Sequence, residues 1–304
     1  MPDKPSDASS GGAPPVFEPV DVWAIEAPNA MAQADFEAAA DAQRGQDAAG
    51  SLEPSAEEKR RGRSRSRAPR TDWRLGGRTV LRWREGLLAV ALISLGLGVV
   101  AATVVSQFWL SPWAAASATI LIGIGMLVPV VWAFSRSRPV GLLRFRAIDL
   151  LYGLVLGALL RTTQGWLQGM GGSPAPLPSF SRVDGAISVT TVLGDILAPV
   201  LVAPLLEELF FRGVVLVALY TVLRRPFGKV AAGVGAVAGS AALFVVAHAM
   251  LGSTSVDGIV VLTLLASVCG LLVILTGRIW GAVLTHAVFN ATFVVLALAG
   301  TFWN

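Results

Sequence analysis

The sequence predicts an all-α membrane protein: a polytopic helical bundle of about seven spans, one of them kinked, behind a disordered N-terminal tail. Three observations predict it. Hydrophobic residues make up 54 % of the 304 and charged residues 14 %, against roughly 45–50 % and about 25 % in an ordinary soluble domain. The charges are segregated: residues 1–58 hold 12 acids and 2 bases, residues 59–85 hold 11 bases and 2 acids, and residues 86–304 hold only 11 bases and 6 acids. That last block is filled with apolar runs of about 20 residues, the length that crosses a bilayer.

Residues 1–72 are expected to form a disordered, acidic and then Arg-rich cytoplasmic tail. Residues 1–58 are rich in Ala, Asp, Glu, Pro, Gly and Ser and have no sustained apolar period, so they cannot bury enough surface to offset chain entropy. No apolar h-region precedes residue 86, so no signal peptide is expected. The run KRRGRSRSRAPR (59–70) lies just before the first span. There it is expected to hold the N-terminus inside, a role compatible with docking on anionic lipid. Nucleic acid is not expected as a partner, because neither a folded basic domain nor an aromatic platform accompanies the charge. The one cysteine, Cys269, lies in an apolar run, which excludes disulfide frameworks, zinc fingers and CxxC redox chemistry.

The integral membrane domain is expected over 73–304. Its apolar runs are 86–110, 112–134, 147–170, 187–223, 230–251, 258–277 and 279–302, with a Gly/Pro/Ser loop at 171–185. The run 187–223 exceeds one straight crossing, and Pro199 and Pro204 predict a kinked or broken helix there. Arg136, Arg138, Arg144, Arg146, Arg224, Arg225, Lys229 and Arg278 fall in alternate loops, whereas the other loops carry only Arg182. By the positive-inside rule the protein sits in the cell (cytoplasmic) membrane with the N-terminus inside and the C-terminus outside. Gly235/Gly239 and Gly277/Gly281 are small-xxx-small pairs that allow close helix approach.

Ionisable side chains in a bilayer are costly and mark functional candidates. Asp149 and Arg161 lie near span ends, and Asp195 is deeper. LLEELFFRG places Glu207, Glu208 and Arg212 on one helix. Glu208 and Arg212, four apart, share a face and can pair. Glu207 lies about 100° around the axis, without a partner, and is free to take or give a proton. The chain has two histidines, His248 and His286, both within spans. His248 shares a face with Phe244, and His286 with Asn290. No GxSxG or HExxH occurs, so water is the expected nucleophile, activated by a carboxylate and an imidazole with or without a metal. Two histidines and one glutamate also match a common catalytic zinc set.

EELFFR (207–212), FVVAH (244–248) and HAVFN (286–290) resemble the EExxxR, FxxxH and HxxxN motifs of the CPBP intramembrane proteases. That family includes the type II CAAX prenyl proteases and Abi-like bacteriocin-processing or immunity proteins. The three motifs occur in order, and the resemblance covers about 187–295. It implies that Glu207 activates water with His248, that His286 and Asn290 stabilise the oxyanion, and that Glu208 and Arg212 are the supporting ion pair. The family has been described both as metalloprotease and as glutamic protease. No metal is assigned here; a zinc ion, if present, would take Glu207, His248 and His286.

The function expected is that of an intramembrane endopeptidase acting on a membrane-associated protein or peptide. A non-catalytic bacteriocin-immunity or peptide-binding protein, and a proton-coupled transporter, are the alternatives. One tension stands against the enzyme. At about 1.5 Å per residue, Glu208 lies roughly 24 Å in from Arg224 and His248 roughly 28 Å in from Lys229, but His286 only roughly 12 Å in from Arg278. Straight upright helices would hold these groups apart.

Overall fold

The computed structural model describes residues 35, 37–44, 72–111, 113–170, 177–252 and 255–303. The tail expected over 1–72 lies almost wholly outside them; within it, 37–44 are helical and largely exposed. The unit Pro69–Asn304 is the membrane bundle.

Seven long helices build it: α1 (Glu85–Phe108), α2 (Ala114–Arg136), α3 (Ile148–Gly169), α4 (189–227), α5 (229–251), α6 (Val256–Thr276) and α7 (Trp280–Trp303). Among the described residues, five stretches are long and apolar enough to cross a membrane, and one of these, Val189–Leu251, is 63 residues long. A crossing takes about 20 residues, so that stretch holds more than one. Gly228 divides it: φ 76°, ψ −178° is a left-handed backbone excursion that only glycine adopts cheaply. Leu223 and Leu219 of α4 then lie against Gly235 and Gly239 of α5, so the two helices run antiparallel and the first small-residue pair receives leucines. Gly277 is different, since its φ of 72° ends α6 in a left-handed cap.

Pro199 and Pro204 do not sever α4. The backbone passes through them by widening into π turns over Val192–Val202, narrows to an α turn over Ala203–Glu208, and widens again over Leu209–Leu216. The wider turn accommodates a residue that lacks an N–H and would clash with the preceding α turn.

Close crossings fix the remaining helices. On α1 and α2, Gly98 and Gly125 face each other so tightly that a Cβ on Gly125 would come within 2.7 Å of the Ser94 carbonyl. On α3 and α7, Gly153 and Gly157 admit Leu284 and the Thr285–Val288 turn. At the end of the Gly/Pro/Ser loop, Asp184 (φ 51°) and Gly185 (φ 80°) close a two-residue hairpin between β1 (Arg182–Val183) and β2 (Ala186–Ile187). Asp-Gly fits that turn because both central residues need positive φ.

The segment before α1 is a plug. Trp73 and Trp83 are each 1 % exposed. Trp73 Nε1 donates to the Gly277 carbonyl at 3.0 Å, and Arg74 donates to the Ile274 and Leu275 carbonyls. These are carbonyls that the end of α6 leaves without intrahelical partners.

Candidate active site

Glu207 and Glu208 sit in the α turn between the two π stretches of α4, and consecutive positions send them apart. Glu208 is fully buried, and its Oε1 lies 3.0 Å from Arg212 Nη1 and 3.0 Å from His286 Nδ1. Arg212, also fully buried, donates to the Ala266 carbonyl at 3.2 Å. Its guanidinium lies 4.6 Å from the centre of the Phe244 ring. An uncompensated Arg or Glu here would be expensive, and the pairing removes most of that cost.

Glu207 points the other way. Its Oε2 lies 3.9 Å from His248 Nε2 and 3.8 Å from His286 Nε2, and no hydrogen bond reaches it. Both rings are turned by their other nitrogen. His248 Nδ1 is 2.9 Å from the Phe244 carbonyl, an acceptor, so Nδ1 carries the proton there. His286 Nδ1 faces the Glu208 carboxylate at 3.0 Å. The Nε2 atoms are thereby both aimed at one carboxylate oxygen. Exposure falls inward: the side chains of His248, Glu207 and His286 are 32 %, 18 % and 4 % exposed, and those of Glu208 and Arg212 are 0 %. The outer groups can meet water while the inner ones hold position.

Asn290 enters differently. Ala203 N–H reaches back to the Ala198 carbonyl in the π pattern. The next donor in that register would be residue 204, and proline has none. The Pro199 carbonyl is left over, and Asn290 Nδ2 donates to it at 2.8 Å. The carboxamide thus ties α7 to the stretch of α4 just ahead of the glutamates and keeps a second N–H.

The structure also answers the depth mismatch. Arg278 is not a free loop cation: it lies 9 % exposed and makes a two-pronged contact with the fully buried Asp149, Nη2–Oδ1 2.7 Å. The Asp149 hydrogen bond and charge hold the Arg278 guanidinium's proton above its ordinary range, against the opposing pull of burial. Tyr220, not Arg224, is level with the α6–α7 turn. Its hydroxyl donates to the Arg74 carbonyl at 3.5 Å, and the neighbouring Trp73 reaches Gly277. The charged end of α4 extends about a turn beyond that level, so His286 and Glu208 meet.

Sequence reasoning passed over Phe244 as a site residue. Its ring is fully buried, stacks on His248 with centroids 4.2 Å apart, meets His286 edge-on at 5.8 Å and faces Arg212. The signal was present in its spacing, four residues before His248.

Residues 189–292 match the family model described as Type II CAAX prenyl endopeptidase Rce1-like. Over those residues the chain is similar to an Rce1-like domain. That domain runs from the start of α4 into α7 and includes Glu207, Glu208, Arg212, His248, His286 and Asn290. Rce1-like proteins are intramembrane endopeptidases of the CAAX-protease type, and the apolar helices of this chain make it a multi-pass membrane protein. Searches of curated proteins and of solved structures return no match to the chain.

The two Nε2 atoms and the Glu207 carboxylate have the chemistry of a zinc donor set, but their spacing does not form one. Bonds of about 2.0–2.1 Å in a tetrahedron put donors about 3.3 Å apart, and here the imidazoles stand 3.8 and 3.9 Å from the Glu207 oxygen. Among the described residues no group of three His, Cys, Asp or Glu side chains is gathered to hold a metal ion.

Proposed function

We propose that the protein hydrolyses a peptide bond near the C-terminus of a membrane-associated protein through a water activated by Glu207 and His248. The observation that carries this reading is the single Glu207 oxygen, free of hydrogen bonds, with two imidazole Nε2 atoms directed at it from different helices. A water held between Glu207 and His248 gives a proton to Glu207 and attacks the scissile carbonyl. The carbonyl oxygen takes the negative charge. His286 and Asn290 meet it, His286 through Nε2–H and Asn290 through its unused N–H. In this role His286 presents an Nε2–H to the oxyanion while its Nδ1 faces the Glu208 carboxylate at 3.0 Å. The intermediate then collapses, the C–N bond breaks, and the proton on Glu207 passes to the leaving amine. Fixed donors in a water-poor site are worth more than in bulk solvent.

The domain match supports a C-terminal C-a-a-X sequence as the substrate, a motif in which the cysteine is prenylated. The Arg/Lys bias of the loops supports a cell-membrane protein with its N-terminus inside. The test is Glu207→Gln in purified protein reconstituted in lipid. Loss of general-base catalysis lowers kcat/KM by about 10²- to 10⁴-fold with the fold intact, read by cleavage of a prenylated C-a-a-X peptide. Activity within a few-fold of wild type overturns the reading.

A further inference from the structure

Among the described residues, three arginines packed into the bundle pair with a carboxylate, and Arg161 does not. Arg74 pairs with Asp72, Arg212 with Glu208 and Arg278 with Asp149. Arg161, among the described residues, meets no carboxylate. It was expected at the end of a span, yet it contacts the middle of α7. It lies 13 residues into α3, about 20 Å along the axis, and touches Phe289, about 14 Å into α7. In a hydrocarbon core about 30 Å thick, that is roughly mid-depth.

The guanidinium is held in place. Nη2 donates to the Phe289 carbonyl at 2.6 Å, Nε to Thr292 Oγ1 at 3.4 Å, and Nη1 to Gln164 Oε1. It also lies over the Phe289 ring, 4.0 Å from its centre, with Phe293 at 5.3 Å. All these partners are neutral. Of five N–H donors, three are used, which leaves two N–H groups and a full positive charge in a medium where unpaired charge is costly.

Its place relative to the site is specific. Phe289 lies three residues, about 4.5 Å, beyond His286 on α7, and Thr292 about 9 Å beyond it. A C-a-a-X motif ends in the chain's own carboxylate, and the three residues that can follow a scissile bond within it span at most about 11 Å when extended. The carboxylate of a substrate whose scissile bond lies at Glu207 and His286 therefore falls within reach of Arg161.

We propose that Arg161 is a substrate-binding residue that takes the free C-terminal carboxylate of the polypeptide being cleaved. The proposal rests on the endopeptidase reading and adds to it a requirement for a terminal carboxylate. The charge pair formed on binding supplies the partner that Arg161 lacks in the free protein. It also restricts cleavage to bonds close to a chain end, because an internal segment brings no carboxylate to that depth.

The test compares two prenylated C-a-a-X peptides of one sequence, one ending in a free carboxylate and the other in an amide, against the full chain in lipid nanodiscs. Both binding and cleavage are measured. The expected result is that wild type binds the carboxylate form about 10- to 100-fold more tightly, the scale of a charge-assisted hydrogen bond. Arg161→Gln loses that ratio and Arg161→Lys keeps part of it. Equal binding of the two peptides by wild type overturns the proposal, and cleavage of both in that case leaves the endopeptidase reading standing. A preference that persists in Arg161→Gln overturns the assignment to Arg161. Arg161-dependent preference without cleavage upholds the subsite and overturns the endopeptidase reading instead.

Discussion

Glu207 and Glu208 are adjacent in sequence and opposite in circumstance. One carboxylate is sealed between an arginine and an imidazole, and the other stands partly open with no hydrogen bond to Oε2. Replacing each by glutamine therefore has different expected outcomes. Glu207→Gln removes turnover and leaves the melting temperature near that of wild type. Glu208→Gln leaves Arg212 buried without a counter-charge and destabilises the bundle by about 3–5 kcal/mol, read by thermal unfolding in detergent. Phe244 is tested by Phe244→Leu. The smaller aliphatic side chain keeps the backbone carbonyl that fixes His248, but loses the surface on which three site groups rest. A fall in kcat/KM of about tenfold, with stability reduced by about 1–3 kcal/mol, is expected; unchanged kinetics would show that the ring is only packing. The roles of the two glutamates could be separated from the sequence, because a pair at i, i+4 uses Glu208 and Arg212 and leaves Glu207 over. The two-sided fixing of the imidazoles could not, since the Glu208–His286 contact joins residues 78 apart in the chain.

At the scale of the element, α4 shows how proline can organise a site rather than break a helix. The π turns displace the backbone hydrogen-bond register, Pro204 withholds the next donor, and Asn290 fills the gap. This predicts a double-mutant cycle. Asn290→Ala strands a carbonyl and costs about 1–3 kcal/mol. Pro204→Ala restores a backbone donor that can satisfy Pro199 directly. The double variant is then destabilised by less than Asn290→Ala alone, and the coupling, at least about 0.5 kcal/mol, is read from thermal unfolding of all four proteins. Additive effects would place the Pro199 carbonyl's partner elsewhere. Sequence indicated a disturbance at the prolines but not its form, because the choice between a break and a widened turn is made by what packs against the freed carbonyl.

For the whole molecule, the plug of residues 72–84 closes one end of the bundle. Partial burial pushes the Asp72 carboxyl upward, but hydrogen bonds from the Arg74 side chain and backbone N–H, with the guanidinium charge, hold it below its ordinary range. A carboxyl lowered in the folded state contributes stability that is present above its unfolded value of about 3.9 and is lost as pH falls through the folded value. Wild type should therefore melt higher than Asp72→Asn at pH 7, and the gap should close as the pH is taken below about 4. A gap that stays constant across that range would mean that the carboxylate charge contributes nothing to the plug. Because Arg74 also caps the α6 carbonyls, loosening the plug is expected to lower the stability of the α6–α7 end first.

The sequence by itself determined the membrane class, the positions of the helices and which polar side chains are candidates, because each follows from local composition, apolar run length and i, i+4 spacing. Tertiary structure alone decided that the α6–α7 turn lies level with Tyr220, that Arg278 is buried on Asp149, and that α4 widens so that Asn290 reaches it. It also decided that Arg161 sits at mid-depth with no carboxylate against it among the described residues. These depend on contacts between residues far apart in the chain, whose relative depth is set by packing and charge pairing rather than by any property of the local sequence.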